Sequence, residues 1–183
     1  MSRINPIQPE TASAEARQIL DQVKAKMGGV PNILGTMAQA PAVAQAYLGF
    51  SGALGEGALD AKLRELIALT VAEANNCDYC LAAHSTIGKG AGLSQDQILA
   101  GRRAQAEGSR EQAALSFARL LVENRGRVTD GEVDGLRAAG FSDGEVLEIV
   151  ANVALNLFTN YFNHVADPAV DFPVAPPLAA ATA

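Results

Sequence analysis

Apolar positions recur every three or four residues along almost the whole chain, and that period predicts one helix after another. From about Thr11 to Met27, Ala16, Ile19, Leu20 and Val23 form one stripe, and "GGVP" at 28–31 stops it. Short helices follow near 31–38 and 41–54, each opened by a proline in its first turn. "GEG" at 55–57 breaks the pattern again. "ALDAKLRELIALTVAEANN" (58–76) predicts a long helix with Asp60 as its N-cap. Its second half is apolar nearly all round, which places it in the middle of a bundle. "CDYCLAAHSTIGKGAG" begins the next helix, which ends in glycines. Ser94 and Ser142 read as N-caps, with Gln97 and Glu145 completing a capping box in each case. Helices near 109–124, 130–138 and 142–165 complete the set.

Good helix formers dominate and β-branched runs are absent, so the expected fold class is all-α, a single-domain helical bundle over residues 1–183. The Pro- and Ala-rich tail, 166–183, is expected to be extended, disordered or draped on a neighbouring subunit. "GLSQDQILAG" at 92–101 resembles "GFSDGEVLEI" at 140–149, which suggests two similar helical hairpins.

Charge narrows the partners. The formal net charge is −6, and the 14 Lys and Arg are scattered. That argues against nucleic acid, whose phosphates need clustered basic groups. No stretch approaches the roughly 18 continuous apolar residues of a membrane helix. The start carries no apolar core of a secretory signal, so a cytoplasmic location is expected. Thiols stay reduced there, so a cysteine pair points to catalysis, redox chemistry or metal binding rather than to a structural staple.

"NNCDYCLAAH" (75–84) holds both cysteines of the chain and one of its two histidines. If the helix begins at or just before Cys77, then Cys77, Cys80 and His84 share one face. A helix N-terminus carries partial positive charge, which favours a thiolate. His84 moves protons near neutral pH. Glu65, twelve residues before Cys77, comes beside this helix if the chain turns back at "NN". A carboxylate with apolar neighbours holds its proton more readily, which suits a shuttle. Other readings stay open: a zinc clip completed by His164 or Glu65, two inert core cysteines, or a plain Glu65–Lys62 ion pair. Tyr79 packs or bonds into the site. Asn160, Asn163 and His164 make the end of the last helix unexpectedly polar, and structural roles are the preferred reading for them.

The segment 64–94 resembles the core of the carboxymuconolactone decarboxylase / alkylhydroperoxidase D superfamily. The shared pattern is Glu, eleven residues, Cys-x-x-Cys, three residues, His, filled here by Glu65, Cys77, Cys80 and His84. "NYFNHVADPAVDFP" at 160–173 is similar to the end of the peroxidase-related branch. The resemblance implies an all-α fold, a homo-oligomer (dimer, trimer or hexamer) and a cysteine pair cycling between dithiol and disulfide while reducing a small hydroperoxide. It implies no cofactor and no metal, a Glu65/His84 proton relay, and an external dithiol reductant protein. It gives Cys80 the peroxidatic role and Cys77 the resolving one. The helix N-terminus favours the lower pKa at Cys77, so the two roles stay open. One departure stands out: alkylhydroperoxidase D has a His directly before the second cysteine, where this chain has Tyr79. Two alternatives from other classes remain, a decarboxylase-like lyase and a non-enzymatic redox-sensitive oligomer.

Overall fold

The structure is a computed structural model that describes residues 2–8 and 10–178. The described residues form helices α1 (Ala14–Met27), α2 (Asn32–Met37), α3 (Pro41–Gly55), α4 (Ala61–Ala74), α5 (Asp78–Gly90), α6 (Gln95–Arg102), α7 (Ser109–Glu123), α8 (Asp130–Ala138) and α9 (Asp143–Ala166). No strand occurs among them. The all-α expectation holds, and the helix boundaries fall within a residue or a few of those the period predicts.

The middle helix of the bundle is α4, packed against α5, α6, α7 and α9. Its residues 66–72 are all buried, including Ile67, Leu69 and Val71. Burying a side chain of that size is worth about 1.5–3 kcal/mol, which is why an apolar helix wins the centre. Asp60 caps it by accepting the Leu63 N–H at 3.0 Å.

The likeness between 92–101 and 140–149 turns out to be local. In "AGLSQDQI" and "AGFSDGEV" a glycine in the left-handed region, Gly92 (φ +91°) or Gly140 (φ +90°), ends one helix. The next residue sends its N–H back five positions, Leu93 to the Gly88 carbonyl and Phe141 to that of Leu136. A serine capping box then opens the following helix. Leu93 with Ile98, and Phe141 with Val146, are buried as hydrophobic staples. The helices joined this way differ, since α6 has 8 residues and α9 has 24. The repeat is therefore one junction used twice, not two similar hairpins.

Residues 168–178 form no helix or strand and are tied to their own chain; 179–183 fall outside the described residues. Asn32 Nδ2 donates to the Ala169 carbonyl, and the Asn32 N–H donates to Asp171 Oδ2 at 2.7 Å. Buried Arg102 pairs with Glu73 and donates to the Pro176 carbonyl. The last turn of α9 is held by the N-terminal segment: the Arg3 and Ile4 N–H groups both donate to the Ala166 carbonyl. No helix of the described residues is long and apolar enough to cross a membrane.

Candidate active site

The site starts at the α4–α5 turn. Asn76 takes a left-handed conformation (φ +53°), which Asn tolerates better than most residues. The Asn76 N–H then returns to the Glu73 carbonyl and the Cys77 N–H to that of Ala72, so α4 ends in a Schellman turn. Cys77 is therefore not on the helix face. It is the N-cap of α5, in extended geometry, with Cys80 in the first turn above it. Both thiols are free and about 2% exposed.

Their surroundings come from α9. Asn163 Nδ2 donates to Cys80 Sγ at 3.2 Å and lies 3.9 Å from Cys77 Sγ. The Cys80 thiol faces Thr159 Oγ1 at 3.9 Å. The Cys77 thiol is pulled down to about 6, first by hydrogen bonding from the Cys80 thiol and then by the Cys80 N–H and Asn163, against the cost of burial. Cys80 moves the opposite way, because a buried thiol beside a thiolate keeps its proton. The two titrate as a pair that carries one negative charge near neutral pH.

His84 Nδ1 is engaged by Glu65 Oε2 at 2.8 Å, with both side chains part-buried. Burial alone would lower the His84 pKa, but the Glu65 carboxylate and its hydrogen bond outweigh that and raise it. His84 separates two small cavities. One, of about 70 Å³, is mainly apolar and lined by Cys80, His84, Ile33, Tyr47, Ile87 and Phe172. The other, of about 80 Å³, lies on the Glu65 side against Arg64, Asn152 and Asn156. Cys80 faces the first cavity, and Cys77 lines neither. A wider concavity, about 650 Å³, lies elsewhere beside Asp60, Ser94 and Glu111, with no cysteine or histidine in its wall.

Known proteins can now be compared with this geometry. The sequence model of the carboxymuconolactone decarboxylase family matches residues 41–123. A solved structure from Ralstonia eutropha JMP134, an alkylhydroperoxidase AhpD core described as an uncharacterized peroxidase-related protein, superposes with a TM-score of 0.82. It is 27% identical, over 93% of this chain and 92% of that one. Residues 41–123 thus carry the carboxymuconolactone decarboxylase family pattern, on the fold of an alkylhydroperoxidase AhpD core. The same fold is also seen in a peroxidase-related protein from Silicibacter sp. TM1040 (TM-score 0.81, 22% identity, 91% and 92% coverage). It recurs in the debrominase Bmp8, in a C82A form with 2,3,4-tribromopyrrole (TM-score 0.78, 22% identity, 93% and 92% coverage). An uncharacterized protein of Haemophilus influenzae is 50% identical over 48 residues, 26% of this chain and 42% of that protein, so this chain matches less than half of its length.

Of the four motif residues, Glu65 meets His84, and Cys80 and His84 line one cavity, while Cys77 sits at the N-cap and not on the shared face its spacing predicts. Glu65 pairs with His84 and not with Lys62. Among the described residues no group of three or more His, Cys, Asp or Glu is arranged to hold a metal ion. The Tyr79 hydroxyl points away from the thiols. It donates to Asp171 Oδ1 at 2.7 Å and accepts from the Ile33 N–H, so it anchors the tail. The structural reading of Asn163 is corrected, because its amide contacts the thiols directly. Thr159 and Tyr47 were not foreseen. Asn152, Asn156, Asn160 and Asn163 fall on one stripe of an otherwise apolar helix, and that spacing was the available signal.

Proposed function

We propose that the chain is a CxxC dithiol peroxidase that reduces small organic hydroperoxides through a Cys77–Cys80 disulfide. The observation that carries this reading is the meeting of one cavity, Cys80 and the Glu65-held imidazole of His84. At rest the negative charge of the pair sits on Cys77. A proton passes from Cys80 to Cys77, and the Cys80 thiolate attacks the peroxide. The S–O bond forms, the O–O bond breaks, and His84 gives its proton to the departing alkoxide, releasing alcohol. Cys77 then attacks the Cys80 sulfenic acid. The S–S bond forms and water leaves. An external dithiol protein returns the pair to thiols by exchange.

Access and the imidazole favour Cys80 as the peroxidatic residue, which leaves Cys77 as the resolving one. The cavity holds a peroxide group and a few carbons, far less than the roughly 300–1,000 Å³ of a drug-sized pocket.

The working form is a homo-oligomer. Helix α9 carries an exposed apolar stripe: Leu147, Val150, Phe158, Tyr161 and Val165 face outward. From Ile149 to Ala166 it carries no Asp, Glu, Lys or Arg. An uncharged face of that kind fits a second copy of itself.

Steady-state peroxidase assays of variants test the chemistry. Cys77→Ser and Cys80→Ser each abolish turnover, and His84→Asn lowers kcat by about 10²–10³-fold, the scale of a positioned proton donor. Turnover retained in either cysteine variant would overturn the two-cysteine cycle.

A further inference from the structure

Most buried polar side chains of α9 are satisfied within the helix. Asn152 donates to the Glu148 carbonyl, Asn156 to that of Asn152, and Thr159 to that of Asn156. Asn160 and Asn163 break that rule. Asn160 is fully buried; its Oδ1 accepts from Asn75 Nδ2 at 3.0 Å, and its Nδ2 has no partner. Asn163 is about 5% exposed; its Nδ2 is spent on Cys80 Sγ, and its Oδ1 has no partner. An unmet donor and an unmet acceptor therefore sit one turn apart on α9, on the stretch that packs on Cys80. A buried polar group left without a partner is destabilising. Asn160 lies on α9 between Thr159 and Asn163, the two residues whose side chains face the Cys80 sulfur, at 3.9 Å and 3.2 Å. An oxygen atom on that sulfur would close the gap.

We propose that Asn160 and Asn163 are positioning residues that hold the oxygen transferred to Cys80. A sulfenic acid supplies what the two amides lack. Its oxygen accepts from Asn160 Nδ2, and its O–H donates to Asn163 Oδ1. The oxygen comes from the hydroperoxide: Cys80 sulfur is oxidised by two electrons, the O–O bond breaks, and the alcohol leaves with the His84 proton. Held in this way, the S–O bond keeps one orientation, the adduct is shielded from a second peroxide, and the sulfur stays open to Cys77. The inference deepens the peroxidase reading and rests on it.

The test uses Cys77→Ser as parent, so that the adduct on Cys80 cannot resolve. After a several-fold excess of tert-butyl hydroperoxide, whose second equivalent is the oxidant for sulfinic acid, the sulfenic acid is trapped with dimedone at successive times and mapped by mass spectrometry. Further oxidation to sulfinic acid is followed in the same samples. Asn160→Ala, Asn160→Asp and Asn163→Ala are added singly; Asn160→Asp keeps the acceptor for Asn75 and loses only the donor. Far-UV circular dichroism and Tm select the folded variants. The expected result is a sulfenic acid lifetime shortened about tenfold in each, with more sulfinic acid, as loss of one hydrogen bond gives. Lifetimes equal to the parent's in Asn160→Asp and Asn163→Ala would overturn the cradle while the peroxidase reading stands. A dimedone adduct found only in Cys80→Ser, on Cys77, would overturn the placement of the oxygen. Thiols that ignore the hydroperoxide in parent and wild type alike would remove the peroxidase reading and the cradle with it.

Discussion

Two thiols three positions apart would be equal in an unfolded chain; here their positions separate them. Cys77 lies at the helix N-terminus with the Cys80 thiol and N–H directed at it, and its pKa falls to about 6. The thiolate of the pair therefore forms as pH rises through about 6 and is lost below it. His84 works in the opposite sense. Its raised pKa keeps the imidazolium, the proton donor, until pH rises past the ordinary imidazole value of about 6.5. The peroxidase rate should be bell-shaped, with its acid limb near pH 6 and its alkaline limb above the usual imidazole range. Glu65→Gln should move the alkaline limb to lower pH, because burial then acts on His84 with no carboxylate to oppose it. A Glu65→Gln profile that keeps the wild-type alkaline limb would separate Glu65 from the proton donor. Glu65, Cys77, Cys80 and His84 were legible because helical spacing and one tight turn fix which side chains meet. Asn163 and Thr159 were not, because their role depends on how α9 crosses α5, and no local period encodes that crossing.

At the scale of elements, the helices were legible because caps and apolar stripes are local. Asp60, Ser94 and Ser142 do cap α4, α6 and α9. What stayed hidden was the path of the tail. Its anchors are single long-range contacts: Asp171 with Tyr79 and Asn32, the Phe172 ring edge-on to Tyr79 at 5.8 Å, and Arg102 with Pro176. Tyr79 thus holds the segment that supplies Phe172 to the wall of the Cys80 cavity. Phe172→Ala should widen that cavity and raise kcat/KM for a bulky substrate such as cumene hydroperoxide relative to hydrogen peroxide by several-fold. An unchanged ratio would show that the ring does not limit access. Arg102→Ala leaves the part-buried Glu73 carboxylate unpaired and frees the Pro176 carbonyl. It should cost about 3 kcal/mol in urea unfolding, the lower end for a broken buried pair because Glu73 keeps some contact with water.

The whole molecule shows a bundle whose longest helix carries an asparagine stripe facing inward and an apolar stripe facing outward. The inward stripe serves the thiols. The outward one is about 27 Å long from Leu147 to Val165, at 1.5 Å per residue, and Val165 is 64% exposed. Tyr161→Glu together with Val165→Glu should lower the mass seen by light scattering with size exclusion to that of a smaller assembly, with helicity retained. A wild-type monomer, or an unchanged mass in the variant, would contradict the proposed face. The central claim concerns the thiols, and one measurement reads it directly. The thiols of the purified protein are titrated before and after one equivalent of tert-butyl hydroperoxide, and the 77–80 peptide is mapped by mass spectrometry. The account predicts rapid loss of two thiols and a Cys77–Cys80 disulfide. Two thiols still titratable after the peroxide would contradict it.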